Sequence, residues 1–286
     1  MMKILRIAGL FLALPICACE LGDRIQPDLV SISRSQPLGK EKSLDATVRF
    51  DIGTLEVSAA SASNLYSMDL DYDKAHFDQE VSFDSSGADA GRLNVKLESS
   101  RKGNRIETKN NRMRLDFTDA VPLKLTVSTG LGRARLSLSR LQLANLEVEG
   151  GVGSTEISSY DPNPVECARI RIRNGVGGLQ AVGLGNLNFR VLEFEGGVGG
   201  ADLDFTGEWK NDAEIRIEVG VGGVNVKMPR AIGVEVNAEK HFLSGLHLDG
   251  FSKRNSRYYS ENYDKAKIRV TIKVSTGIGG FRINWV

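Results

Sequence analysis

The stretch that decides the fold is LEFEGGVGGADLDF, residues 192–205. Apolar and polar residues alternate on both sides of a Gly-aliphatic-Gly core, which is the pattern of half-buried β-strands. Together with the copy at 197–199, the unit occurs six times, at 130–132, 151–153, 175–177, 197–199, 220–222 and 277–279, and the first five copies along the chain are 21, 24, 22 and 23 residues apart. A repeat of this length predicts stacked supersecondary units.

Stacking gives the glycines a structural purpose. One such unit cannot bury its apolar face alone, whereas copies side by side share a continuous core. Neighbouring strands lie about 4.8 Å apart, so a sharp corner leaves little room for side chains and can require a positive φ, and glycine meets both demands. The predicted corner glycines are Gly130, Gly132, Gly151, Gly153, Gly175, Gly177, Gly197, Gly199, Gly220, Gly222, Gly277 and Gly279.

The aliphatic residue between the two glycines is predicted to point inward and to stack on its counterpart in the next coil. The ladder would contain Leu131, Val152, Val176, Val198, Val221 and Ile278. Burial of each side chain would contribute about 1.5–3 kcal/mol. We therefore expect Val198→Asp to destabilise the protein far more than Glu195→Ala.

The predicted fold class is all-β, a single-chain β-solenoid with glycine corners, preceded by a small β region. Short alternating strands place the N-terminal β region at residues 45–118 and the solenoid repeats at 119–286. The last two corners are 57 residues apart. This gap is predicted to hold a degenerate corner at 241–243 and an inserted loop at 251–264.

The N-terminus predicts export. Residues 1–18 read as a signal peptide, and Ile16-Cys17-Ala18-Cys19 resembles a bacterial lipobox, which implies acylation of Cys19 and contact with membrane lipid. The alternative is an ordinary signal peptide cut after Ala18. Residues 19–44 would be a lipid-anchored flexible tether, and Glu20 favours the periplasmic face of the outer membrane in a cell with two membranes. Cys167 is predicted to be a small buried residue.

Composition and motif chemistry argue against several classes of function. The chain has 37 Lys+Arg and 36 Asp+Glu, so it carries no basic excess for nucleic acid. The glycine motifs lack the Lys-Ser/Thr of a P-loop, and no cofactor is predicted. Asp69, Asp71 and Asp73 are interpreted as a solvated strand face, and His241 with His247 as loop residues, so no metal site is predicted.

Several stretches together resemble a known group. VRFDIGTLEV (48–57), NRMRLDF (111–117) and the ending that contains Gly250-Phe251 and Ile278-Gly279-Gly280-Phe281 are similar to the toast-rack family and to the C-terminal domain of LiaF-like cell-envelope stress proteins. The resemblance covers about residues 45–286. It implies an envelope β-solenoid, often tethered to a membrane, without an established catalytic site. LiaF-like proteins reach the membrane through N-terminal helices, which this sequence lacks, so the resemblance gives little support to restraint of a sensor kinase.

The sequence therefore predicts a non-enzymatic envelope protein that binds, scaffolds or answers stress, with an envelope protein or glycan as partner. The 251–264 loop has an interface-like composition in Phe251, Arg254, Tyr258, Tyr259 and Tyr263, although it could equally cap the last coils. The alternatives are a kinase regulator and a β-helical glycan-active enzyme. Such an enzyme needs converging carboxylates in a groove, and Asp202 with Asp204 are the candidates.

Overall fold

The computed structural model describes residues 27–60, 63–86, 89–100, 111–238 and 245–286. The predictions for the signal peptide, for Cys19 and for the corner at 241–243 lie outside these ranges. Within them, the structure contains no helix with the length and hydrophobicity needed to cross a bilayer.

The described residues form seventeen strands and one short 3₁₀ helix at Leu184–Leu187. The strands are β1 (Leu29–Pro37), β2 (Ser43–Ala60), β3 (Asn64–Asp73), β4 (Phe77–Asp84), β5 (Ala90–Ser99), β6 (Arg112–Thr118), β7 (Pro122–Ser137), β8 (Gln142–Ser158), β9 (Cys167–Val182), β10 (Phe189–Val198), β11 (Ala201–Asp204), β12 (Ala213–Met228), β13 (Gly233–Ala238), β14 (Gly245–Leu248), β15 (Phe251–Arg254), β16 (Arg257–Ser260) and β17 (Arg269–Trp285).

Six long strands of 16 to 18 residues each carry a corner near their middle, which divides the strand into two arms. These strands pair in parallel along their length, and the corners stay in register from coil to coil. In one coil the corner separates two strands, β10 and β11, which pair with β9 and β12 on either side. The predicted all-β solenoid with glycine corners is confirmed.

The core lies between the arms of the coils. Alternate residues of both arms are buried, as Leu125 and Val127 are before the corner of β7 and Leu136 is after it. These side chains belong to one continuous cluster that runs through all coils. The alternation in the sequence therefore reports the inward and outward faces of each arm.

The order of coils in space differs from their order along the chain. The C-terminal strand β17 lies between β12 on one side and β13 with β14 on the other. Likewise β2 lies between β7 and the pair β5 and β6. The stack of coils thus begins inside the predicted N-terminal β region, because β2 pairs with β7 residue for residue.

The prediction of a flexible tether over 19–44 is wrong for its C-terminal part. Residues Leu29–Pro37 form β1, which pairs antiparallel with β3. Val30 and Ile32 pack against the core from this strand, and serines alternate with them. Val30 and Ile32 are the apolar side chains through which β1 packs on the core. This alternation is short and has a proline on either side, so the sequence pattern favoured a tether.

Antiparallel strands cover both ends of the stack. At one end β4 pairs with β5 and β3 pairs with β6. At the other end β16 pairs with β13, and β15 completes a hairpin with β16. The hairpin is the predicted inserted loop of residues 251–264, and it covers an edge that parallel coils would leave open.

Candidate functional site on the outer surface of the corners

The structure places each predicted corner glycine at the bend of a coil. Gly199 has φ +143°, and a Cβ there would lie 1.8 Å from the carbonyl oxygen of Gly177 in the neighbouring coil. A Cβ on Gly197 would lie 2.3 Å from the carbonyl oxygen of Gly175. Corner glycines are therefore needed both for backbone conformation and for the close approach of successive coils.

The prediction that the central aliphatic residues point inward is wrong. Their exposed fractions are 41% for Leu131, 50% for Val152, 48% for Val176, 51% for Val198, 44% for Val221 and 65% for Ile278. The inward parity of the first arm ends at Val127, and the second arm resumes it at Ala134. Val127 and Ala134 are seven residues apart, whereas the inward side of a regular strand returns every two residues. The bend therefore shifts the alternation by one residue, and the central residue faces solvent.

These exposed residues form a continuous apolar line, which we call the corner ridge. It contains the exposed Leu131, Val152, Val176, Val198, Val221 and Ile278, and it ends at Ile52, which is half-buried and packs against the core; the seven are paired in the order Ile52, Leu131, Val152, Val176, Val198, Val221, Ile278 across neighbouring coils. Seven rungs at strand spacing give a length of about 29 Å. Six of the nine large apolar side chains that are exposed among the described residues belong to this ridge, so solvent-exposed apolar surface is concentrated there.

A shallow groove of about 630 Å³ runs beside the ridge, and we call it the corner trough. Its floor contains Gly150, Gly175, Gly196, Gly197 and Gly220. Its polar side is lined by Glu149, Arg173, Glu195, Glu218 and Ser275, which come from five neighbouring coils. Three of its floor glycines directly precede ridge residues, so trough and ridge share one surface.

The trough is acidic. Arg173 pairs with Glu149, and it also lies 3.4 Å from Glu195. The hydrogen bond to Glu149 raises the pKa of Arg173 above its ordinary value. Glu218 is exposed and makes no ion pair with a described residue. Three carboxylates therefore face one guanidinium along the trough.

Asn174 is the buried polar residue of the trough. It is 6% exposed and lines the groove. Its Oδ1 lies 2.7 Å from the position that a Cβ on Gly150 would take. Its side-chain amide makes no hydrogen bond with any residue that the structure describes. Sequence analysis missed this residue, although an asparagine directly before a glycine corner is a signal that could have been noticed.

Below the trough, the outer face of the first arms carries a ladder of ion pairs centred on Glu193. Arg169 and Arg216 donate to its carboxylate at 2.9 and 2.8 Å, and Arg171 lies 3.0 Å away. Burial alone would raise the pKa of Glu193, but the hydrogen bonds from Arg171 and Arg169 hold it below its ordinary value. The hydrogen bond from Lys273 lowers the pKa of Glu214 in the same way.

The carboxylates do not show the environment of a glycosidase pair. The catalytic acid of such a pair needs a raised pKa, whereas hydrogen bonds from basic side chains lower the pKa of Glu193 and Glu214. Asp202 accepts a hydrogen bond from Asn225, and Asp204 lies 3.6 Å from Lys227. These pairings join neighbouring coils on their outer surface.

The aspartates of β3 divide into two environments. Asp69 and Asp71 are exposed and accept hydrogen bonds from Ser33 and Ser31 of β1. Asp73 is buried and hydrogen-bonded to Nδ1 of His76 at 2.6 Å, so its assignment to a solvated face is wrong. Among the described residues, no three His, Cys, Asp or Glu side chains are grouped as metal binding requires.

The predicted interaction loop packs against the last coils. Arg257 donates to Glu235 of β13 at 2.7 Å, and the hydroxyl of Tyr263 lies 3.3 Å from the same carboxylate. Phe251 stacks on Trp285 with ring centroids 5.2 Å apart. Arg254 lies over the ring of Tyr259 and pairs with Asp264, and Tyr258 contacts the core. These contacts match the capping alternative for the loop.

Cys167 is fully buried, and burial raises the pKa of its thiol to about 12. The thiol is therefore unreactive at neutral pH. Its place in the core agrees with the sequence-based interpretation of a small buried residue.

The family described as the N-terminal domain of toast_rack, DUF2154, matches residues 25–181 and 169–227. The match covers more than half of the chain, and the chain belongs to this family. No curated protein matches the sequence.

Solved structures provide further likenesses. A candidate cell adhesion protein from Clostridium sporogenes is 20% identical, with 91% of this chain and 100% of that chain covered and a TM-score of 0.47. A candidate adhesin from Bacteroides fragilis is 14% identical, with 91% and 100% covered and a TM-score of 0.38. A candidate adhesin from Parabacteroides distasonis is 9% identical, with 91% and 98% covered and a TM-score of 0.29.

Proposed function

We propose that this protein is a lipid-anchored, non-enzymatic binding protein of the bacterial envelope, and that the corner ridge and corner trough are its binding surface. The observation that carries the proposal is the exposed aliphatic residue repeated at the corners of six neighbouring coils, from Leu131 of β7 to Ile278 of β17. The core does not need these side chains, since they are about half exposed. A contiguous apolar line of this kind is typical of an interaction site.

Membership in the toast-rack family and the β-solenoid fold support a binding role over catalysis. The lowered pKa of Glu193 and of Glu214 supports it too, because a catalytic acid of a glycosidase needs a raised pKa. The hairpin of residues 251–264 is used in capping, which leaves the corners as the better surface for a partner.

The anchor is proposed at Cys19, with the periplasmic face of the outer membrane as its place in a two-membrane cell. Since β1 begins at Leu29, nine residues separate Cys19 from the folded body. Fully extended, they reach at most about 30 Å. The corners would then stay close to the membrane that holds the anchor.

Mass spectrometry of the mature N-terminus, combined with membrane fractionation, tests the anchor. We expect a diacylated or triacylated Cys19 in the membrane fraction, and release of the protein by Cys19→Ser. An unmodified Cys19 in native protein would refute the anchor without affecting the binding surface.

Site-specific photocrosslinking in cells tests the binding surface. A photoreactive residue at position 198 should form an adduct, whereas the same residue at position 227, on the outer face of the second arm, should not. The triple variant Val176→Ser, Val198→Ser, Val221→Ser should fold with a Tm similar to that of the wild type. Because position 198 is substituted in this variant, the photoreactive residue is placed at position 152, where it should form an adduct in the wild type and none in the variant. Equal adduct yields at 198 and 227 would contradict the proposal.

A further inference from the structure

We infer that the corner trough binds a neutral saccharide chain and that Asn174 is its buried hydrogen-bonding contact. The inference rests on the proposed binding function and adds to it the class of ligand and the residues that recognise it. It depends on three features: an amide without a partner among the described residues, a mixed polar wall and a side-chain-free floor.

The amide of Asn174 is the first feature. Among the described residues this amide makes no hydrogen bond, and although the residue is only 6% exposed, its polar atoms are not among those shut off from solvent. Because Asn174 lines the trough, its amide is open to a ligand there. An amide offers one acceptor oxygen and two N–H donors. A saccharide hydroxyl both donates and accepts, so hydroxyls on one ring can satisfy both sides of the amide.

The wall of the trough is the second feature. Glu149, Glu195 and Glu218 offer acceptors, and Arg173 offers donors. This mixture suits hydroxyl-rich ligands. The excess of carboxylates repels phosphorylated or uronic acid polymers, which selects a neutral chain.

The floor and dimensions are the third feature. Floor glycines carry no side chains, so a ring can approach the backbone closely. The polar wall extends from β8 to β17 across five coils, or about 19 Å at strand spacing. A groove of this length and of about 630 Å³ suits several linked rings, and the aliphatic ridge beside it can contact their C–H faces.

An extended peptide fits this surface less well. Peptides commonly bind by adding a strand to an open sheet edge. The strands β8, β9, β10 and β12 are paired on both sides, so the trough presents no open edge. Recognition here has to come from side chains, which again suits a saccharide.

The experiment uses the full mature chain with Cys19→Ser and a panel of neutral and anionic oligosaccharides, which includes a tetramer of N-acetylglucosamine, a mannose tetramer and a galacturonate tetramer. We expect at least one neutral tetramer to bind and the galacturonate tetramer not to bind. Titration calorimetry should then show at least tenfold weaker binding for Asn174→Val. The matched control Asn225→Val, which changes an exposed asparagine of the second arm, should keep Kd within twofold.

Thermal unfolding separates recognition from structure. Because the Asn174 amide has no described partner, Asn174→Val should keep or raise the Tm of the free protein. The inference is overturned if no neutral saccharide binds, if only the anionic tetramer binds, or if Asn174→Val lowers the Tm by several degrees and leaves Kd unchanged. If no neutral saccharide binds but the photocrosslinked adduct at position 198 still forms, the saccharide inference is wrong and the proposed binding function is still supported.

Discussion

At the scale of the residue, position within the corner decides the role of each glycine. Gly199 has a positive φ and a neighbouring carbonyl where its Cβ would be, whereas the next residue, Gly200, has only the carbonyl oxygen of Gly223 at 3.8 Å from such a Cβ. Two adjacent glycines thus have different requirements. The bend requires glycine at position 199, whereas position 200 has room for a larger residue.

This difference can be measured with Gly199→Ala and Gly200→Ala. We expect Gly199→Ala to cost at least about 3 kcal/mol, since it combines backbone strain with overlap. Gly200→Ala should change the free energy of unfolding by less than about 1 kcal/mol, in either direction. Urea denaturation of both variants provides the comparison. Equal losses would show that the corner does not impose the geometry described above.

The exposure of Val198 also changes the destabilisation expected for Val198→Asp. Since its side chain is 51% exposed, Val198→Asp should cost far less than a buried valine-to-aspartate change such as Val226→Asp. The sequence alone predicted that Val198→Asp would destabilise the protein far more than Glu195→Ala, because inward alternation was extended from the strand into the bend. The direction of a side chain at a bend depends on φ and ψ at the glycines, which the apolar pattern does not encode.

At the scale of the element, charge ladders on the first arms hold neighbouring strands together. Glu193 of β10 receives three arginines from the two neighbouring strands, Arg169 and Arg171 from β9 and Arg216 from β12. Its side chain is only 10% exposed. Such partly buried, charge-assisted hydrogen bonds are stronger than ordinary surface ion pairs.

Glu193→Gln should therefore destabilise the protein by about 2 kcal/mol at pH 7. The pKa of Glu193 is lower in the folded protein than its ordinary value of 4.5. The stabilisation is then present above that value and is lost as the pH falls through the folded pKa. Unfolding free energies of wild type and variant should converge as the pH falls below the folded pKa of Glu193. The control Glu218→Gln, at an exposed carboxylate without a described ion pair, should change the free energy of unfolding at pH 7 by much less.

At the scale of the whole molecule, β2 and β17 each lie between coils that come from distant parts of the chain, and this arrangement joins the stack together. The strand β17 follows all other described strands along the chain, yet it lies between two earlier coils. Most contacts of such an arrangement join residues far apart in sequence, and this slows folding. The outermost strands β1 and β4 pair on one side only among the described residues, so they contribute less to the stack.

Two deletions test this difference. Removal of residues 269–286 should abolish cooperative unfolding, because it exposes β12 and separates β13 and β14 from the stack. Removal of residues 27–37, which deletes β1, should leave a cooperative transition with a modestly lower Tm. Circular dichroism during heating distinguishes the two outcomes. A cooperative transition in the chain that lacks β17 would argue against the insertion.

The sequence by itself determined the all-β class, the repeat length and the positions of the corners, because strand alternation and glycine spacing are local properties of the chain. The family resemblance followed from the same residues and is confirmed by the match over 25–227. Tertiary structure alone decided the outward direction of the corner ridge, the docking of β1, the insertion of β17 and the exposure of the trough around Asn174. Those features depend on the bend angle and on which distant strand lies alongside, and neither is written in a local pattern.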